Sequence, residues 1–316
     1  MISDLREGNS ARGYYLCKEK QLLKSKAGKN YLSLTLQDAS GSINGKVWDL
    51  NVRIGEFDKG DVVLAEGSIV TFAGDLQMNI SRIRRCEAGE YDMADLTPST
   101  DKDRDQMYRR ILEWIDSLSK PYYQKLLNAF YRDDARLVDK IKQHPAAKSV
   151  HHNYLGGYLE HVTSVTDIAV HLAGLYENVD LELVITGALL HDIGKLWELN
   201  PMPLGDYTNE GQLLGHVMIG YAKVGEKLRL VPDFPRGKAV ELEHIILSHH
   251  GELEFGSPKV PATMEAMIIH LADNSDAKLK LIEETLKTDR AEGDWTEYNR
   301  FLSRTLYKGG QDRVQP

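Results

Sequence analysis

Cysteine is almost missing from this sequence. Cys17 and Cys86 are the only two in 316 residues, at a spacing that suits neither a zinc cluster nor a disulfide framework. Two reduced thiols in a cytoplasmic protein are therefore expected. Long apolar runs are missing as well. No stretch approaches the roughly 20 apolar residues of a membrane helix, and the N-terminal "MISDLREGNSARGYY" lacks the apolar core of a secretory signal. A membrane partner is not expected. No internal repeat and no low-complexity tract occurs. Basic charge is in deficit, with 39 Lys and Arg against 47 Asp and Glu and a net charge of −8, which at first argues against a nucleic-acid partner. The deficit is uneven, however, because residues 1–90 are close to neutral and the remainder carries the acidity. Histidine is confined in the same way: all 11 lie at or after His144. Two chemically different segments are implied, in a chain long enough for two domains and one sizeable core.

The first segment alternates and turns in the manner of strands. In "KNYLSLTLQD", Leu32, Leu34 and Leu36 fall on one face and Tyr31, Ser33 and Thr35 on the other. After a turn at "ASGS", Ile43 and Val47 face inward while Asn44, Lys46 and Trp48 face outward. Later strands run through "DVVLAEGSIV" and "LQMNISRI", joined at Ala73-Gly74-Asp75. Five short strands in so short a stretch predict a small closed barrel of the OB type. Its outer face would display Lys29, Tyr31, Lys46 and Trp48 together. Aromatics interleaved with lysines make a stacking platform for single-stranded nucleic acid; the competing reading has the two rings plugging a barrel end.

"EAGEYDMADLTPSTDKDRD" is polar, acidic and aperiodic, the character of a linker. Everything after it reads helical, with helices beginning near Asp103, Pro121, Asp133, Leu155, Leu181, Glu210, Lys238 and Thr263 and a last one near Trp295. The expected organisation is multidomain α and β: a five-stranded barrel over residues 1–87, a linker over 88–104 and an all-α domain over 105–316.

One phrase of the helical part poses a problem. "GALLHDIGKLWEL" sends an oily helix into a core and ends it with His191, Asp192 and Lys195, and burying such groups is costly unless something pairs with them. Other helices supply partners. His161 lies on the apolar stripe of Val165, Ile168, Leu172 and Leu175. The stripe of Leu242, Ile245 and Ile246 carries His249 and His250 inward, Asp273 shares the face of Ala266 and Ile269, and His216 sits early in its own helix. A metal ion that neutralises these groups mutually removes the burial cost for all of them.

The ordered set His161, His191-Asp192 and Asp273, with Lys195 in "HDIGK", resembles the HD superfamily of metal-dependent phosphohydrolases, and the added His216 and His249-His250 resemble its two-metal members. With "HHNYLGGYLEHV", "EGQLLGHV", "LSHHGELEFGSPK", "LADNSDAK" and, in front, "NYLSLTLQDASGSINGKVWD", the chain is similar from about residue 13 to 308 to the YhaM-type 3′-to-5′ exoribonucleases, an OB-fold followed by an HD domain. That resemblance implies that His161, His191, Asp192 and Asp273 bind one divalent metal, and that Asp192 bridges to a second completed by His216, His249 and His250. Such ligation suits Mn²⁺, the favoured ion, or Fe²⁺, Co²⁺ or Ni²⁺ rather than Mg²⁺ or Ca²⁺, and two ions suit an in-line phosphoryl displacement. Asp192 and Lys195 are the expected catalytic pair, with Lys195 holding a phosphate oxygen as charge builds. His151 and His152, ahead of Gly156-Gly157, are candidate substrate contacts. His270 is read either as support behind a ligand or as core packing, Asp276 as orienting a ligand or Lys195, and His144, His171 and His244 as structural or surface residues.

The expected activity is metal-dependent 3′-to-5′ exonucleolysis of single-stranded RNA, with single-stranded DNA as a second substrate and the barrel gripping the strand. The rival enzyme reading is a phosphohydrolase of small nucleotides such as cyclic dinucleotides or (p)ppGpp, for which an outward Tyr31 and Trp48 are unnecessary. A non-enzymatic scaffold is disfavoured by the intact ligand set. The oligomeric state, with a homo-oligomer among the alternatives, is left open.

Overall fold

The computed structural model describes residues 1–50, 54–148, 152–289 and 291–309. The chain divides into two compact units, Met1–Thr100 with Pro201–Gly205, and Asp101–Asn200 with the residues from Asp206 onward. Among the described residues no helix is long and apolar enough to cross a membrane.

The first unit is built on five strands, β1 (Ser10–Lys24), β2 (Asn30–Asp38), β3 (Gly41–Val47), β4 (Val62–Phe72) and β5 (Asp75–Arg85). They close into a barrel in the order β1-β2-β3-β5-β4. β1 pairs antiparallel with both β2 and β4, and β3 lies parallel to β5. Register slips between Cys17 and Glu19 in β1 and between Glu66 and Gly67 in β4 mark the bulges, which bend strands as closure requires. The alternation read from the sequence is realised: Leu32, Leu34, Leu36, Ile43 and Val47 are buried with Val63, Ile69, Met78 and Ile83. Part of the acidic segment expected as linker packs on this unit. Leu96 is buried with Leu16, Val62 and Cys86, and Gln37 Nε2 donates to its carbonyl at 3.1 Å.

The second unit is helical: α1 (Arg104–Ser117), α2 (Pro121–Tyr131), α3 (Ala135–Gln143), α4 (Gly157–Ala173), α5 (Leu181–Leu190), α6 (Lys195–Glu198), α7 (Asn209–Leu228), α8 (Arg236–Ser248) and α9 (Met264–Thr288). Side chains of Asp103, Asp134, Asp180, Thr208 and Thr263 accept from free N–H groups at five helix starts, each such cap contributing about 1 kcal/mol. Every residue of α5 from Leu183 to Leu190 is buried. It is the central helix, packed against α4, α8 and α9, and its C-terminus delivers His191 into the core. Two expectations need correction. No helix forms near Trp295, where isolated bridges pair Trp295 with Tyr307 and Asn299 with Arg304. The single-turn α6 was not foreseen, because four residues carry no periodicity to read.

Candidate metal centre and nucleic-acid face

The side chains singled out on α4, α5, α7, α8 and α9 converge on Asp192, which is 1% exposed. Its Oδ2 lies 3.2 Å from His161 Nε2 and 3.5 Å from His191 Nε2. Its Oδ1 lies 3.4 Å from His216 Nε2 and 3.5 Å from His249 Nε2. One carboxylate thus faces two imidazole pairs with its two oxygens. Asp273 Oδ1 joins the first pair at 3.3 Å from His161 Nε2. His250 joins the second, its Nε2 3.1 Å from that of His216. Donor atoms of His161, His191 and Asp273 form one compact group, and those of His216, His249 and His250 another.

The far nitrogens explain why the near ones point inward. His191 Nδ1 donates to the Ala188 carbonyl at 2.8 Å, and His249 Nδ1 to the Ile246 carbonyl at 2.7 Å, each three residues back in its own helix. His161 Nδ1 donates to Asp276 Oδ2 at 2.7 Å and His216 Nδ1 to Glu198 Oε1 at 3.0 Å. With Nδ1 committed as donor, the Nε2 lone pair is the one presented to the centre, the arrangement that metal-binding histidines share. Each half therefore holds one ring backed by a carboxylate and one backed by a carbonyl.

Local backbone makes this possible at two glycines. Gly215 interrupts α7 with φ 72°, a conformation natural to glycine. The break frees the His216 N–H to donate to the same Glu198 oxygen at 2.9 Å, so Glu198 grips His216 twice. Gly194, before α6, has no room for a side chain, since a Cβ there would lie 2.0 Å from the His216 carbonyl oxygen and 2.6 Å from Gly220 N. Backbone cannot yield as a side chain can. Gly194→Ala is expected to cost about 1–3 kcal/mol by overpacking and to push α7 off the centre. Urea unfolding measures this, and a loss below about 0.5 kcal/mol, the scatter of neutral surface changes, would contradict the close approach.

The electrostatics favour a cation. Burial pushes the pKa of His191 down to about 4 and that of His250 to about 3, which keeps both rings neutral and able to ligate. Burial alone would lower His161 too, but Asp192, Asp273 and Asp276 outweigh it and hold its pKa well above the usual value. Three carboxylates around one ring draw positive charge to it, a proton on Nε2 in the metal-free protein and a divalent ion in its place. Burial also works against the charge of Lys195, yet Asp192 and Asp273 hold its pKa up; its Nζ sits 2.6 Å from Asp192 Oδ2. Two buried atoms, Asp192 Oδ1 and His249 Nε2, have no hydrogen-bond partner among the described residues. Orphaned buried groups of this kind call for an ion or water. A set of five imidazoles and two carboxylates, two of its atoms unsatisfied, fits divalent transition metals, and the absence of thiolate argues against a structural zinc site.

Other sequence candidates fall elsewhere. His152, a candidate substrate contact, is 1% exposed, with Nε2 3.1 Å from Asp276 Oδ2, and so packs behind the candidate ligands. At Gly157 a Cβ would lie 2.0 Å from the His152 carbonyl oxygen, and Gly156, with φ 80°, makes the turn into α4. His151 lies outside the described residues. Asp276 orients His161, not Lys195. His270 Nδ1 donates to the His249 carbonyl at 2.9 Å, supporting a candidate ligand through its backbone. His244 Nε2 accepts the Ala262 N–H and His144 Nε2 donates to the Lys195 carbonyl, both structural. Glu198 was missed; its one signal was a carboxylate inside "HDIGKLWEL".

On the barrel, Tyr31 and Trp48 stack with centroids 4.6 Å apart and planes at 30°. Trp48 is half exposed, and neither ring is part of the barrel core. Lys46 Nζ lies 5.9 Å from the Tyr31 ring and 2.6 Å from Ser33 Oγ, while Lys29 is exposed just before β2. The sequence reading missed Asn79, whose Oδ1 accepts from Trp48 Nε1 at 3.0 Å and Gln77 Nε2 at 3.1 Å. β5 thereby fixes the indole beside β3.

Residues 158–278 match the family described as HD domain, and residues 17–85 match a family described as OB-fold nucleic acid binding domain. An OB-fold domain precedes an HD domain. The solution NMR structure of the second OB-fold domain of replication protein A from Methanococcus maripaludis is 24% identical, covering 29% of this chain and 97% of that one, with a TM-score of 0.23. HD domains bind divalent metals, and this one marks the protein as a metal-dependent phosphohydrolase whose companion domain binds nucleic acid.

Proposed function

We propose that the protein is a 3′-to-5′ exonuclease of single-stranded RNA, acting also on single-stranded DNA, with two divalent ions at the HD centre and Mn²⁺ favoured. The observation that carries the reading is the placement of Asp192, one oxygen toward each imidazole group, in a chain whose other domain displays a stacked Tyr31–Trp48 pair. His161, His191 and Asp273 would hold one ion and His216, His249 and His250 the other, with Asp192 shared. Bound there, two ions supply an activated water and neutralise charge on the oxygens of an in-line displacement. The chain's own groups do the rest. Asp276 and Glu198, hydrogen-bonded to His161 and His216, would keep those two rings aimed at the ions. Lys195, charged beside Asp192, would neutralise a phosphate oxygen in the transition state. Tyr31 and Trp48 would stack bases, while Lys29 and Lys46 would meet the backbone.

Incubation with Mn²⁺ of single-stranded RNA and DNA labelled at the 5′ end tests this. A ladder shortening one nucleotide at a time from the 3′ end is expected. Intact strands alongside rapid hydrolysis of cyclic dinucleotides or (p)ppGpp would transfer the assignment to the small-nucleotide class.

A further inference from the structure

Behind His161 a chain of buried and half-buried polar side chains continues past Asp276. Asp276 Oδ2 receives two donors, His161 Nδ1 at 2.7 Å and His152 Nε2 at 3.1 Å. His152 Nδ1 lies 2.9 Å from the Tyr154 hydroxyl, which donates to Glu160 Oε2 at 3.0 Å. Glu160 is 3% exposed, and its Oε1 is paired at 3.2 Å with both Lys102 and Lys280. Those lysines line a cleft of about 350 Å³ together with His152, Glu160 and Asp276. The chain thus leads from a candidate ligand to the surface through four successive partners.

His152 also adopts φ 62°. A non-glycine residue in the left-handed region is held there by its surroundings, and such outliers cluster at functional sites. A carboxylate behind a ligating imidazole fixes the ring's orientation and raises its basicity. A single contact would leave Asp276 free to rotate about its own side-chain bonds. A second donor on the same oxygen, itself locked through Tyr154 and Glu160, removes that freedom.

We propose that Asp276, His152, Tyr154 and Glu160 form a positioning chain that aims His161 Nε2 and thereby sets the metal affinity of the His161–His191–Asp273 half of the centre. This rests on the reading of that centre as a metal site. The chain acts through His161 alone, so the His216–His249–His250 half should not feel it.

Titration of metal-free protein with Co²⁺, followed by visible absorption, and with Mn²⁺, followed by calorimetry, tests the proposal on three variants. Asp276→Asn should weaken one of two binding events by about 10–100-fold and leave the other unchanged. Tyr154→Phe removes one hydroxyl and touches no ligand; it should weaken the same event severalfold and alter its Co²⁺ spectrum, with the unfolding temperature of the metal-free protein preserved. His161→Ala should abolish that event. If Tyr154→Phe binds both ions like the unaltered protein while His161→Ala loses one, the positioning chain is overturned and the metal centre stands. If His161→Ala also binds two ions normally, the reading of the centre itself fails. Should Asp276→Asn not fold, Tyr154→Phe decides alone.

Discussion

Asp192→Ala is expected to abolish phosphodiester hydrolysis while the protein goes on binding single-stranded RNA. Among the described residues Asp192 is the only side chain whose two oxygens face both imidazole groups, so its loss should empty both halves of the centre at once. Metal-ion stabilisation of transition-state charge contributes several kcal/mol, and each 1.4 kcal/mol is a factor of ten in rate; a fall of at least about a thousandfold follows. The Lys195 ammonium, 2.6 Å from Asp192 in the intact protein, loses its nearest counter-charge as well. Elemental analysis should show the bound ions falling from two per chain toward none. A rate within tenfold of the unaltered protein would show that Asp192 does not hold the ions. Loss of RNA binding in proportion to loss of activity would show instead that the HD centre is itself the main grip on the strand.

How much of this was legible depended on whether the cause was local. The barrel could be read because alternation at Leu32, Leu34 and Leu36 is a direct consequence of strand geometry, and these residues are indeed buried together. Helix starts near Asp103, Asp133 and Thr263 could be read because capping is a property of a few adjacent residues, and the side chains of Asp103, Asp134 and Thr263 do cap those helices. The residues that converge on Asp192 could be singled out because a charged or polar side chain on an oily stripe contradicts its own surroundings. What lay hidden was decided by partners distant in sequence. Glu198 became significant only because Gly215 breaks α7 and turns the His216 N–H toward it. His152 looked like a substrate contact from its neighbours in sequence, and only the fold brings Asp276, on α9, against it. Near Trp295 a helix is expected, but isolated bridges between residues of that same segment form instead.

The division of labour between the two domains yields the second large effect. If the barrel face grips the strand, the double variant Tyr31→Ala, Trp48→Ala should weaken RNA binding by about 1–3 kcal/mol for each stacked base lost. The rings are stacked on one another and the indole is tethered to Asn79, so the platform is formed before the strand arrives and little ordering cost offsets its contribution. The barrel core does not include either ring, so stability should change little. Hydrolysis of a small reporter such as bis-p-nitrophenyl phosphate, which needs only the ions and one phosphodiester, should be unchanged. Long RNA should lose more than a dinucleotide, because only a long strand engages two sites at once and gains the effective concentration that linkage supplies. Added salt should weaken long-strand binding through Lys29 and Lys46, but modestly, since residues 1–90 are close to neutral and few counterions are released. Unaltered KM for long RNA would make the barrel face a bystander. Equal loss of reporter and RNA hydrolysis would place Tyr31 and Trp48 in the catalytic machinery, and the proposed division between gripping and cutting would fail.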